Sequence, residues 1–77
     1  MLTKIFVDFN NADNKGRVRL NTNGTLEDLK NQQIKLYDGI EILLDDGDGL
    51  ATVGTVKFSE EENIWVASVN WDKLKSD

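Results

Sequence analysis

The side chains that could do chemistry here are almost all carboxylates and basic groups, because the sequence has no histidine and no cysteine. Histidine is the commonest catalytic base and metal ligand, and a cysteine thiolate is both a nucleophile and a soft metal ligand. Their absence excludes Ser–His and Cys–His catalysis, disulfides and His- or Cys-ligated zinc within these 77 residues.

Carboxylates alone can perform acid–base catalysis when two of them flank a substrate cleft. The run Glu60, Glu61 and Glu62 is the densest local group, but it lies between two predicted strands and is typical of a solvated turn. A domain of this size has little room for a ligand cleft of several hundred Å³. We therefore predict that the protein is not an enzyme and needs no cofactor.

The turn Asp45–Gly49, with sequence DDGDG, invites comparison with a calcium-binding loop. Loops of the EF-hand type place oxygen ligands at positions 1, 3, 5 and 12 and glycine at position 6. When Gly49 takes position 6, positions 1 and 12 fall on Leu44 and Thr55, and neither residue supplies the carboxylate that a calcium ion needs there. The sequence therefore predicts no metal site.

A basic strip with one aromatic residue is the main feature of the N-terminal part. If the first two strands form a hairpin, then Lys4, Phe6 and Asp8 share a face with Arg17 and Arg19. A basic strip with an aromatic residue is how small barrels hold single-stranded nucleic acid. Ordinary cross-strand pairing of arginine with aspartate explains the same pattern. The net charge of −5 disfavours nucleic acid. That negative charge is concentrated in residues 38–77, which carry ten acidic and three basic side chains.

The elements that must position these side chains begin with a predicted antiparallel hairpin. Thr3–Phe9 alternates apolar and polar residues, Asn10–Gly16 is dense in turn formers, and Arg17–Leu20 resumes the alternation. Residues 25–32 then predict a two-turn helix with Thr25 as its N-cap. Two turns are not stable alone, so this helix must lie against the sheet.

The stretch Gly39–Trp71 predicts three consecutive antiparallel strands. Ile40–Leu44, Val53–Phe58 and Ile64–Trp71 each alternate with a period of two, and glycine- and carboxylate-rich turns separate them. Gly54 inside the second strand is typical of a bulge or a sharp bend in a small barrel.

These elements predict a mainly β fold, a small antiparallel five-stranded barrel or a strongly curled sheet with one short helix. Over Leu36–Trp71, the segment LYDGIEILLDD, the Gly-x-Val-x-Phe strand and the tryptophan-containing strand resemble the SH3-like small barrels. That resemblance implies an architecture and no function. The predicted core comprises Ile5, Val7, Val18, Leu20, Ile40, Ile42, Val56, Phe58, Trp65, Ala67 and Val69.

Length and hydropathy predict one small domain over residues 1–77. Chains of this size bury only about 60% of their unfolded surface, which still allows them to fold alone. No apolar run approaches the roughly 18 residues of a membrane span, and the first nine residues are too short and too alternating for a signal peptide. We therefore expect a cytoplasmic protein with no membrane partner.

Apolar residues on both faces of several strands predict a binding function. If the sheet closes around one core, some of these residues are exposed and form a surface for a protein partner or for self-association. The alternative is that the helix, with Leu26 and Leu29, covers them together with Ile34 and Leu36. We expect a non-catalytic protein–protein interaction module, with a nucleic-acid-associated barrel as the alternative. The candidate contact residues are Phe6, Arg17, Arg19, Leu43, Ile64 and Val66.

Overall fold

The chain forms a mixed β-sheet curled into a half-barrel, with one short α-helix, so the predicted mainly β, strongly curled architecture is confirmed. The computed structural model describes residues 3–73 and 75–76. The elements, in chain order, are β1 (Lys4–Phe6), β2 (Val18–Arg19), α1 (Asn23–Asn31), β3 (Glu41–Asp45), β4 (Leu50–Ser59), β5 (Ile64–Val69), a 3-10 turn (Trp71–Lys73) and β6 (Lys75–Ser76).

The three central strands form the antiparallel meander that the sequence predicts. The first half of β4 pairs with β3 and its second half pairs with β5, in a register that runs through Gly54 without a bulge. A Cβ on Gly54 would lie 2.8 Å from Leu44 Cδ1 and 3.1 Å from Ala67 Cβ. Glycine is therefore required here for close packing of the strands.

The predicted N-terminal hairpin is wrong. The strand order is β1-β3-β4-β5-β2, with β1 parallel to β3 and β2 antiparallel to β5. The loop after β1 folds back onto β2, where the N–H of Asp13 donates to the carbonyl of Arg17 and the N–H of Arg19 donates to that of Asn11. Because the loop occupies this edge of β2, β1 cannot pair there and lies at the opposite edge of the sheet.

The helix begins two residues earlier than predicted. Its N-cap is Thr22, whose hydroxyl accepts the N–H of Thr25 at 3.3 Å. Thr25 is fully buried in the first turn, so the prediction that it caps the helix is wrong. No helix among the described residues is long and apolar enough to cross a membrane.

The core lies on the inner face of the half-barrel. Its buried apolar residues are Ile5, Val7, Phe9, Val18, Leu20, Ile42, Leu44, Val56 and Ala67. Ile40, Trp65 and Val69 are partly buried against it, as are Leu29, Ile34 and Leu36 from the helix and the segment after it. Phe58 was predicted to be in the core, but it is 38% exposed and packs edge-to-face on Trp65 at a ring-centroid distance of 5.1 Å.

Candidate protein-binding surface

The strand register places those predicted contact residues that lie in strands on the outer face of the half-barrel. They are Phe6, Arg19, Leu43, Ile64 and Val66. Paired residues share a face of a sheet, as do residues two apart in one strand. Leu43 pairs with Lys4, two residues before Phe6, while Val66 pairs with Arg19 and lies two residues after Ile64. These residues nevertheless form two groups, because β4 separates the β1–β3 side from the β5–β2 side.

On the β5–β2 side, burial contradicts one of the predicted contact residues. Val66 is fully buried, so it is wrong as a contact residue, and Ile64 is half-buried. The sequence alternative was that the helix would cover these apolar residues, but α1 packs against β1 instead. On the outer face, Val66 is flanked in register by Lys57 and Arg19, whose long side chains can cover it.

Arg17 and Arg19 are engaged within the molecule. The Arg17 Nε donates to Asp13 Oδ2 at 2.9 Å, and the Arg19 guanidinium binds both carboxylate oxygens of Glu62 at 2.8 Å. A further N–H of Arg19 donates to Asn11 Oδ1 at 3.3 Å. These contacts tie the loops before β2 and before β5 to strand β2. They pair the arginines with loop residues rather than across two strands, as the sequence alternative had it.

Asp13, the partner of Arg17, is the most buried of these charged residues, with a side chain only 3% exposed. Burial raises the pKa of Asp13, but the N–H groups of Arg17 and Lys15 and the Arg17 guanidinium outweigh it, so the pKa lies below its usual value. The side-chain hydrogen bond between Arg19 and Glu62 likewise raises the pKa of Arg19 and lowers that of Glu62. All three groups are therefore held in their charged forms. Lys15 Nζ also lies 2.8 Å from Glu61 Oε1. We call Asp13, Lys15, Arg17, Arg19, Glu61 and Glu62 the ion-pair network.

Phe6 has a different environment at the open edge of β1. Its N–H donates to Asp28 Oδ2 at 2.7 Å, and its carbonyl accepts from the Thr25 hydroxyl at 2.7 Å. The Gln32 side-chain amide donates to the carbonyl of Lys4 at 2.9 Å. Side chains of the helix and its C-cap thus satisfy the backbone groups that an edge strand otherwise leaves free.

The Phe6 ring packs closely on Gly24 and more loosely faces Gly47. A Cβ on Gly24 would lie 2.6 Å from Phe6 Cδ2, so the ring packs directly on the helix backbone. On its other side, a Cβ on Gly47 would lie 4.0 Å from Phe6 Cε1. Despite these contacts Phe6 is 38% exposed. It is an aromatic ring that packs on the helix backbone and remains accessible.

Two cavities flank Phe6, and Phe6 lines both. The smaller one has a volume of about 160 Å³ and the larger one about 310 Å³. The smaller cavity is lined by Lys4, Ile5, Phe6, Asp28, Asp45 and Gly47, and the larger by Phe6, Val7, Asp8, Asn10, Thr22, Asp46 and Asp48. We call Phe6 and these lining residues the Phe6 surface.

Four of the five carboxylates of the Phe6 surface accept hydrogen bonds from backbone amides, those of Asp8, Asp28, Asp45 and Asp46. Asp46 Oδ1 accepts the N–H groups of Asp48 and Leu50 at 2.8 and 3.2 Å, and Asp8 Oδ1 accepts the N–H of Asn10 at 2.9 Å. Such bonds stabilise turns but leave the negative charge uncompensated. Within residues 3–73 and 75–76, no group of three or more carboxylates is close enough to hold a metal ion.

The only basic residue lining either cavity, within the part of the chain that the structure describes, is Lys4. Its Nζ lies 3.9 Å from Asp45 Oδ2, and its side chain is 65% exposed. Such a long, exposed contact neutralises little charge. The Phe6 surface therefore has a negative potential.

Sequence reasoning identified Phe6 and Leu43 but missed the carboxylates around them. The DDGDG turn was considered only as a calcium loop, and no carboxylate was predicted to line a cavity beside Phe6. The parallel pairing of Phe6 with Asp45 brings the turn beside the aromatic ring. Parallel strands are not joined by a short hairpin, so no local sequence pattern predicts the pairing of β1 with β3.

Comparison with known proteins finds no match: no family model, no curated protein and no solved structure is similar enough to place the chain in a family. The resemblance to SH3-like barrels stays a prediction.

Proposed function

We propose that this protein is a non-catalytic binding module that contacts another protein through the Phe6 surface. The observation that carries the proposal is a half-exposed aromatic ring fixed by helix contacts between two open cavities. Aromatic residues are enriched among the residues that dominate binding energy, and a preordered side chain loses little entropy on binding. The contact residues proposed here are Phe6, Leu43 and Val53.

Leu43 and Val53 extend the apolar surface next to Phe6. They are paired in the β3–β4 ladder and therefore lie side by side on the outer face. Leu43 is half-buried and Val53 is 41% exposed. A stable protein interface requires roughly 800 Å² from each partner. The protein exposes 5152 Å² in total, so such an interface takes only a modest part of its surface.

The nucleic-acid alternative has less support. It requires Arg17 and Arg19 to be available for phosphates, but both guanidiniums bind carboxylates of this chain. The exposed aromatic residue that would stack on a base lies among carboxylates, whose charge repels phosphates.

The proposal is tested by affinity capture from a lysate of the source organism with the tagged protein and two variants, Phe6→Ala and Phe58→Ala. Phe58 is a matched control because it has the same residue type and the same 38% exposure, but it lies outside the Phe6 surface. We expect a nuclease-resistant protein at near-stoichiometric yield with the wild type and with Phe58→Ala, and its loss with Phe6→Ala.

Thermal unfolding of both variants shows whether they are folded at the capture temperature. Equal capture by Phe6→Ala and the wild type would contradict the proposed surface. Recovery that disappears with nuclease would instead favour the nucleic-acid alternative. Failure of the wild type to retain any protein would count against a binding module of this kind.

A further inference from the structure

We propose that the larger cavity of the Phe6 surface binds a lysine or arginine side chain of the partner protein. This inference rests on the proposed function and specifies the chemistry of the contact. The cavity combines three features: an exposed aromatic ring, an open volume of about 310 Å³, and the carboxylates of Asp8, Asp46 and Asp48.

The aromatic ring supplies the first half of the recognition. A cation over the face of an aromatic ring is attracted by the ring quadrupole when it lies within about 6 Å of the ring centroid. The methylene stem of lysine or arginine can also pack on the ring while the charged end reaches past it. Phe6 is suited to both contacts because it is fixed in position and 38% exposed.

The carboxylates supply the charge complementarity. Asp8 and Asp46 each use Oδ1 for backbone amides and have no protein hydrogen bond at Oδ2 within the described residues. Among those residues, the larger cavity is lined by three carboxylates and no basic side chain. The remaining oxygens can therefore accept hydrogen bonds from a guanidinium or an ammonium group.

The edge of β1 argues for insertion of a side chain rather than addition of a strand. A partner strand would need the outward N–H and carbonyl of Phe6, but Asp28 and Thr25 already bind them. The carbonyl of Lys4 is likewise bound to Gln32. The surface beside the edge stays open, and the cavity there is where a partner side chain can enter.

The test is a titration of the 15N-labelled protein, followed by NMR, with acetylated and amidated (Gly-Arg)4, (Gly-Lys)4 and (Gly-Gln)4 peptides. We expect the two cationic peptides to give saturable shifts at the amides of Phe6, Gly47 and Asp48, and the glutamine peptide to give none. Saturable binding of (Gly-Gln)4 with an equal dissociation constant would overturn the inference, as would shifts located elsewhere.

Two double variants separate this site from general attraction to an acidic protein. Asp46→Asn/Asp48→Asn removes two charges at the cavity and keeps the Asn side-chain oxygen that accepts the turn N–H groups. Glu41→Gln/Glu60→Gln removes two charges from exposed positions outside both cavities. We expect the first pair to weaken binding of (Gly-Arg)4 at least fivefold and the second by less than twofold. Equal weakening by the two pairs would overturn the inference.

Phe6→Leu tests the ring itself while keeping an apolar side chain of similar length. Loss of the cation–π contact is expected to weaken (Gly-Arg)4 binding by roughly threefold. An unchanged dissociation constant would exclude the ring from the contact. If neither cationic peptide binds but Phe6→Ala still abolishes capture of a protein partner, the proposed function stands and the cationic contact is wrong.

Discussion

The ion-pair network and the Phe6 surface contain the same types of charged residue, but they use them differently. In the network, three carboxylates meet three basic side chains, with Lys15 Nζ 2.8 Å from Glu61, Arg17 Nε 2.9 Å from Asp13 and Arg19 Nε 2.8 Å from Glu62. At the Phe6 surface, five carboxylates line the two cavities with Lys4 as their one basic neighbour in the described part of the chain.

The position of a charged residue in the fold decides whether another side chain of the protein pairs with it. The network compensates its charges within the chain and fixes two loops to the β5–β2 side of the sheet. Most carboxylates of the Phe6 surface accept hydrogen bonds from backbone amides, which shapes the turns and leaves their negative charge without a basic partner. A region whose charges are already paired offers little to a partner, whereas an uncompensated region beside an exposed aromatic ring offers both charge and apolar contact.

Introducing a carboxylate on the outer face beside each region should give the largest contrast. Val66→Asp places a carboxylate at a fully buried position, where it loses its hydration even with Lys57 and Arg19 beside it, so we expect a loss of stability large enough to unfold this small domain. Val53→Asp changes a residue that is 41% exposed on the outer face and should leave the protein folded, with a loss of about 1 kcal/mol at most. Circular dichroism with thermal unfolding distinguishes the two. A folded Val66→Asp protein would show that this part of the outer face is an accessible surface.

The same Asp→Asn change should lower the free energy of unfolding by different amounts in the ion-pair network and at the Phe6 surface. Asp13→Asn removes the charge that faces Arg17 in a buried position, and we expect the free energy of unfolding to fall by about 2 kcal/mol or more. Asp46→Asn keeps an oxygen for the turn amides and relieves repulsion, so its effect should be within about 0.5 kcal/mol. Urea unfolding at pH 7 measures both. Similar losses for the two variants would contradict the distinction between paired and unpaired carboxylates.

Removing the Thr25 hydroxyl should loosen the contact between the helix and β1. Thr25→Val leaves the carbonyl of Phe6 without its partner, and we expect a loss of about 1–2 kcal/mol. Thr55→Val is the control, because the Thr55 side chain is half-buried on the outer face and makes no side-chain hydrogen bond within the described residues. Urea unfolding compares the two variants, and an equal loss would argue against a specific role for the hydroxyl at the β1 edge.

Acid should affect the network through Asp13. The pKa of Asp13 is lower in the folded protein than its ordinary value, so the unfolded chain binds the proton more tightly. The stabilisation is complete above the unfolded pKa of about 3.9 and is lost as the pH falls from there through the folded pKa. We expect Asp13→Asn to reduce the slope of stability against pH in this window. Urea unfolding of the wild type and of Asp13→Asn between pH 5 and pH 2.5 measures the two slopes, and equal slopes would contradict this role of Asp13.

Much of the fold could be predicted because its signals are local. The meander follows from period-two alternation in β3, β4 and β5 and from turn residues between them. The inward side of each strand was also correct, since Ile42, Val56 and Ala67 are fully buried. Phe58 was misplaced because alternation gives the face of a strand but not how far along it the core extends.

The candidate site was only partly predictable because long-range pairing creates it. Phe6 was identified as an outward aromatic, but its neighbours were expected to be Arg17 and Arg19 across a hairpin. The chain after β1 instead turns back on β2, which sends the two arginines and Phe6 to opposite edges of the sheet. The burial of Val66 also depends on side chains from other strands, which its own strand pattern does not reveal.

The sequence by itself determined the chemical limits and the local elements of this protein. A chain without histidine or cysteine lacks the machinery that those residues provide, whatever its fold, and short-range alternation specifies a meander through neighbouring residues. Only the tertiary structure decided which charges are compensated and which remain free. Arg19 meets Glu62 across 43 residues, and Phe6 meets Asp28 across 22. Contacts at such separations depend on the packing of the whole chain, because ion pairs and edge contacts form only where the folded backbone brings their atoms within reach.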